Sequence, residues 1–280
     1  MAATQEYKLE EYNNDLAYRY VLSDGEKKVL SSITHDVLHN FKGPAGSIAY
    51  VKSKLGDVSN ILQALDKFFL EHPGNFFLRL STCSPKDAYY QLYRDTPESD
   101  EESEDDEPMT INDIKRDLEV LKVNSAEQVL LVLTHSERMY FDFEFKESEL
   151  AICLLPWQDD FSHDCETRCF IKGGVLIGFS QYYCDLANGY SGVDNYEVFY
   201  SQVIDFIKEL QQGGRIPYDD AVVDITLDSG KKLMFIEING FNIGTDSCLF
   251  EWDELMKVDE KKISGPVFKY KANGTVISMS

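Results

Sequence analysis

The sequence predicts an α+β fold, and three patterns carry that reading. Helical apolar spacing dominates the first half of the chain. Short runs rich in β-branched and aromatic residues dominate from about residue 139. Two pairs of those runs are joined by glycine-bearing turns, which marks hairpins. In order, residues 1–20 are polar and read as frayed or peripheral. Residues 24–42 and 56–71 have helical spacing, with Asp57 or Ser59 available as a cap for the second. Phe76–Leu80 reads as a short strand, and Ser84-Pro85-Lys86-Asp87 as a helix start with proline just inside the first turn. Helices follow at about 111–122 and 126–136. MYFDFEF (139–145), ELAICLL (149–155), TRCFIKG (167–173) and GVLIGFSQYY (174–183) read as strands, the last two joined through Gly173-Gly174. Residues 195–214 form a long amphipathic helix ended by glycines. AVVDITLDSGKKLMFIEIN (221–239) is a second hairpin, turning near Ser229-Gly230.

The 280 residues suffice for one large domain or two modest ones. With 27 Lys and Arg against 49 Asp and Glu, the formal charge is −22. That charge disfavours non-specific nucleic-acid binding, which needs clustered cations, and it would repel anionic membranes. A basic protein partner, or solubility alone, fits better. Cys83, Cys153, Cys165, Cys169, Cys184 and Cys248 follow no small-domain disulfide spacing and read as free thiols. The polar, acidic N-terminus is no secretory signal, and no apolar run reaches spanning length, so the expected setting is cytoplasmic. PESDEESEDDEP (97–108) is self-repelling and poor in apolar residues, and reads as a disordered acidic insert. Its Ser99 and Ser103 each precede an acid by three residues, which suits an acid-directed serine kinase as well as a plain solvated loop. The insert divides the expected organisation into an N-terminal subdomain (1–96) and a core (109–280).

The last hairpin poses the functional question. Side chains alternate faces with period two, so Val223, Ile225 and Leu227 share one face, as do Met234, Ile236 and Ile238 on the return strand. Asp224, Glu237 and Asn239 then point the other way. A turn centred on Gly230-Lys231 puts Asp224 directly opposite Glu237; one centred on Ser229-Gly230 makes them diagonal neighbours; an odd-length loop breaks the alignment. Two adjacent carboxylates repel unless a cation intervenes, and Asp, Glu and an amide oxygen form a hard-oxygen set suited to Mg²⁺. A solvated polar face on an edge hairpin is the plainer alternative. Candidate phosphate contacts are Arg79, Lys86, Arg168 and Lys172, and no Walker-type loop is present. Two other motifs lead elsewhere. HDVLH places His35 and His39 one helical turn apart as in zinc proteases, but Asp36 replaces the glutamate base and a third ligand is missing. HDCETRC (163–169) offers His163, Cys165 and Cys169, yet Cys169 is expected to face the sheet interior.

Four segments in order carry a resemblance: LRLSTCSPKDAYY, ETRCFIKGGVLIGFSQYY, VVDITLDSGKKLMFIEING and TDSCLFEWDEL. Together they resemble the cell-division-cycle-123 (D123) family over about residues 75–257. The resemblance implies an ATP-grasp-like fold that binds ATP with Mg²⁺. It also implies an assembly chaperone for eukaryotic translation initiation factor 2, acting through the gamma subunit. Carried over by position, Asp224, Glu237 and Asn239 would hold the metal. Arg79, Lys86, Asp87, Arg168 and Lys172 would contact the nucleotide. The chain departs from the family pattern at Arg79 (usually Lys), Ser81-Thr82 (usually Asn-Trp), Glu237 (usually Asp) and Gly240 (usually Pro). The family's aromatic-rich N-terminal segment has no clear counterpart here, so this resembles a divergent member. Two other functions stand beside the chaperone reading. One is an active ATP-grasp enzyme, transferring phosphoryl or nucleotidyl groups to ligate a carboxylate or an RNA end. The other is a protein-binding module that has lost its nucleotide.

Overall fold

The computed structural model describes residues 16–93, 110–190 and 192–280. The acidic stretch 97–108 with its two serines, and residues 1–15, lie outside the described residues. The described residues fall into two units, one of residues 16–93 and 113–157 and the other of residues 110–112 and 158–280. Residues 113–157, placed by the sequence reading after the acidic stretch, group with the N-terminal unit.

The first unit begins with β1 (Tyr18–Val21), inside the stretch expected to be frayed. It pairs antiparallel with β4 (Ala151–Pro156), and Tyr18 is anchored on the Phe68 ring at 4.6 Å. α1 (Asp24–Asn40) starts at a capping box, in which Ser23 and Glu26 satisfy each other's backbone N–H. α2 (Pro44–Lys54) was not foreseen, although Pro44 behind Gly43 is a helix-start signal. α3 (Ser59–Glu71), β2 (Phe76–Leu80), α4 (Ala88–Tyr93), α5 (Ile111–Glu119) and α6 (Ala126–Thr134) follow the sequence reading closely. With β3 (Lys122–Val123), the strands form an antiparallel sheet in the order β1-β4-β2-β3.

MYFDFEF is a helix and not the expected strand: α7 spans Glu137–Phe145. Ser136 caps it by accepting from the Met139 N–H. Met139 and Phe143, one turn apart, are buried, whereas Phe141 and Phe145 are exposed. In a strand, Phe141, Phe143 and Phe145 would share one face. The alternation that suggested β structure was a by-product of aromatics placed on both sides of a helix.

The second unit is a six-stranded sheet ordered β10-β9-β6-β5-β7-β8. β5 (Ser162–Lys172) and β6 (Val175–Gln181) form the foreseen hairpin. Gly173 and Gly174 hold φ of 56° and 74°, the left-handed pair that a tight two-residue hairpin turn needs. α8 (Tyr196–Gln212), capped by Asn195, packs Phe199, Val203, Ile207 and Leu210 onto one sheet face. There it meets Cys169, Val223 and Ile225 from β5 and β7 (Ala221–Leu227). The opposite face carries a smaller cluster of Phe170, Ile177, Val222, Phe250 and Leu255, the last from α9 (Trp252–Lys257). Gly178 permits this packing, because a Cβ there would lie 2.8 Å from the Phe250 ring. After β8 (Leu233–Asn239), the sequence reading left the C-terminus without elements. It is a hairpin of β9 (Val267–Ala272), parallel to β6, and β10 (Thr275–Met279), turning at Asn273-Gly274. Among the described residues no helix is long and apolar enough to cross a membrane.

Candidate functional site

The β7–β8 hairpin settles the register by a route the sequence did not suggest. Asp228 and Lys232 close the turn by backbone hydrogen bonding at 2.9 Å, leaving the odd loop Ser229-Gly230-Lys231 between them. Lys231 takes the left-handed conformation, at φ 61°. An odd loop alone would misalign the carboxylates. A β-bulge at Ile236 restores them: Ile225 faces Phe235, but Asp224 faces Glu237. The bulge also changes which β8 residues face the core. Phe235 packs with Ile238 against the large cluster, in place of the expected Met234 and Ile236.

The rung of strand partners continues through β5, so that Ser180, Arg168, Asp224 and Glu237 lie in one line across β6, β5, β7 and β8. Asp224 is fully buried and Arg168 nearly so. They form a two-pronged ion pair, Arg168 Nε donating to Oδ1 at 2.9 Å and Nη2 to Oδ2 at 2.8 Å. Burial works against the guanidinium's charge, but the Asp224 charge and its hydrogen bonds outweigh it and raise the Arg168 pKa. Two features missed from sequence hold the arginine. Its Nη1 donates to the Asp246 carbonyl at 2.9 Å, and its guanidinium lies 4.6 Å from the Tyr182 ring centre. The Asp246 loop is itself pinned: Thr245 Oγ1 donates to the Gly240 carbonyl at 2.7 Å, and Trp252 Nε1 to the Thr245 carbonyl at 2.8 Å. Tyr182 stood inside a segment carrying the family resemblance, but nothing in its spacing marked a cation platform.

Asn239 completes the cluster. Its amide donates to Asp224 Oδ2 at 3.0 Å and to Glu237 Oε1 at 3.3 Å, so one small group bridges two carboxylates. Among the described residues no set of three His, Cys, Asp or Glu side chains is placed to hold a metal. This cluster is instead two carboxylates and one amide. Its chemistry fits a hard cation. A carboxylate has about four acceptor sites, of which Asp224 gives two to Arg168 and one to Asn239. Turning the Asn239 amide over exchanges its NH₂ for an oxygen and points three oxygen-bearing groups at one spot. The charged members, Arg168 against Asp224 and Glu237, leave a net negative charge there.

The other candidates are placed differently. Lys172 Nζ donates to the carbonyls of Met256 and Val258, both at 2.8 Å, and so anchors the C-terminal end of α9. Arg79, Lys86 and Asp87 belong to the first unit. Arg79 is buried in β2 opposite Cys153, and its Nε donates to the Leu80 carbonyl at 3.0 Å. Lys86 and Asp87 form the turn into α4. Asp87 accepts from Ser136 Oγ at 2.6 Å and from the Arg138 N–H at 3.2 Å, so it ties down the start of α7. Of the zinc-like decoys, Cys165 and Cys169 are both buried in the α8-facing cluster, while His35 and His39 stack on the α1 surface at 4.4 Å.

A model of the D123 family matches residues 52–278, most of the chain. This protein belongs to the D123 family. Two relatives within D123 show the distances involved. The translation initiation factor eIF2 assembly protein of Xenopus tropicalis is 26% identical over 218 residues, covering 74% of this chain and 59% of its own length. The protein of the same description from Schizosaccharomyces pombe is 30% identical over 164 residues, covering 51% and 48%. The chain thus spans about half to three-fifths of the length of the curated relatives it matches. The solved structure of Cdc123 from Schizosaccharomyces pombe superposes with a TM-score of 0.62 at 20% identity, covering 94% of this chain and 92% of that one. The fold is accordingly the α+β, ATP-grasp-like D123 architecture.

Proposed function

We propose that this D123 protein helps to assemble translation initiation factor eIF2, engaging its gamma subunit, with ATP and Mg²⁺ as cofactors. The shared description of its relatives as eIF2 assembly proteins supports the client. The family resemblance supports the gamma subunit and the nucleotide. The observation that carries the cofactor reading is the Arg168–Asp224–Glu237 rung with Asn239 bridging its carboxylates. In this reading Asp224, Glu237 and Asn239 hold the cation. Arg168 holds the Asp224 carboxylate in one plane, and Tyr182 and the Asp246 carbonyl hold Arg168. The cation, when bound, supplies the positive charge that lets an acidic chain accept a polyphosphate. The cationic candidates for the nucleotide remain Arg168 and Lys172 in the second unit and, in the first unit taken by itself, Arg79 and Lys86, with Asp87 adjoining Lys86 in sequence. Lys172 additionally positions α9.

Calorimetric titration with ATP tests the cofactor half. The expected outcome is binding that needs Mg²⁺ and that weakens at least about tenfold in Glu237→Ala, with an unchanged circular dichroism spectrum. Glu237 is preferable to Asp224 for this test, because removing Asp224 would strand the buried Arg168. Equal binding without Mg²⁺, or in Glu237→Ala, would sink the metal assignment. Retention of purified gamma subunit on the immobilised chain tests the client separately, and no retention would overturn it.

A further inference from the structure

Two sequence oddities that the cofactor site leaves unused meet on one surface of the first unit. One is the HDVLH stretch of α1, the other the aromatic run of α7. Their rings form a chain: His35 stacks on His39 at 4.4 Å and lies 5.9 Å from Tyr140. Tyr140 in turn lies 5.9 Å from Phe141 and 6.5 Å from Phe145, which are 5.9 Å apart. Phe141 is 51% and Phe145 65% exposed, though each is large enough to serve in a core. A helix that has already buried Met139 and Phe143 gains nothing by placing two more phenylalanines in water.

Acidic groups lie beside the rings. Glu137 is one turn before Phe141 on the exposed side of α7, and Glu144, three residues after Phe141, accepts from Ser31 Oγ of α1 at 2.6 Å with its other oxygen left over. The cations of the helix are turned to other work: Arg138 donates to the Ser84 carbonyl at 3.4 Å, and Lys146 pairs with Asp142 at 3.5 Å. Ring faces attract cations, carboxylates pair with them, and an overall charge of −22 draws them in. We propose that the aromatic–acidic face of α1 and α7 is a docking surface for a basic, arginine- or lysine-bearing segment of a protein partner. Its identification with the assembly client rests on the function proposed above; its preference for a basic segment does not.

The test uses the full chain and two probes. A short fluorescent peptide alternating arginine and leucine should bind the wild-type chain, less tightly as salt is raised. Binding should fall about tenfold in the double variant Phe141→Ser, Phe145→Ser, and also in Glu137→Lys, both of which alter exposed positions only. No peptide binding, or binding unchanged in these variants, would overturn the docking surface. The second probe is the purified gamma subunit. Retention by the wild type and loss in the double variant would place the client on this face. Retention by both would exclude the client from this face and leave the assembly reading standing. No retention even by the wild type would refute the assembly reading, and the peptide result would then decide the surface by itself.

Discussion

Asp224 is a carboxylate at full burial, and Arg168 makes it tolerable by filling two of its acceptor sites. Breaking such a pair from one side is worse than never having it. Arg168→Met should therefore lose about 3–5 kcal/mol of stability, while Arg168→Met with Asp224→Leu should lose clearly less. Urea denaturation of the three proteins checks this, and a single variant as stable as wild type would mean the pair holds nothing. His135 gives a second test at this scale. It is fully buried, its Nδ1 2.7 Å from the Leu131 carbonyl and its Nε2 2.9 Å from Ser47 Oγ. Burial lowers its pKa, and the hydrogen bond to Leu131 opposes this only in part. The unfolded chain then binds the proton more readily than the folded one. The stability His135 contributes is complete above about pH 6.5 and is lost as pH falls from there towards the depressed folded value. Melting temperature should drop between about pH 7.5 and pH 5.5, and His135→Gln should flatten that part of the profile. The Asp–Glu–Asn set was legible because strand alternation is local. Arg168 was singled out too, but the Asp246 carbonyl and Tyr182 that hold it come from a distant loop and from just past the end of the neighbouring strand β6, and no local spacing reports them.

Among the elements, α7 shows most plainly how periodicity misleads. Phe141, Phe143 and Phe145 alternate, but only Phe143 is buried. Phe143→Ala should cost about 3–5 kcal/mol, whereas Phe141→Ser with Phe145→Ser should stay within about 0.5 kcal/mol. Comparable losses in both would restore the strand reading. The caps explain why the helix wins: Ser136 satisfies the Met139 N–H, and Asp87 satisfies Ser136 and Arg138 from the sequence-distant turn before α4. The β7–β8 hairpin failed in the opposite way. Its elements and its carboxylate pair were read correctly, but the turn was given an even loop, and a bulge at Ile236 compensates for the odd one. A bulge leaves no mark in apolar alternation except a residue out of phase, here Ile236 next to Phe235. The β9–β10 hairpin had a readable signal in Asn273-Gly274, a turn pair that favours positive φ, which it has at 49° and 76°.

Across the whole molecule, a charge of −22 on 280 residues implies self-repulsion that counterions relieve. Raising salt from about 10 mM to about 200 mM should raise the melting temperature; a fall would show that attractive surface pairs outweigh the repulsion. The acid excess, most of the helices and strands, two of the hairpins and the shared face of Asp224, Glu237 and Asn239 follow from local rules: periodicity, capping and turn chemistry act within a few residues. Those rules stop where one element meets another. Which helix of α1 and α7 buries which side, how Arg168 is caged by Tyr182 and Asp246, and why Lys172 anchors α9 depend on contacts between residues of different elements, most of them dozens of positions apart. Burial and hydrogen-bond satisfaction are properties of the folded neighbourhood, so only the tertiary structure could decide them.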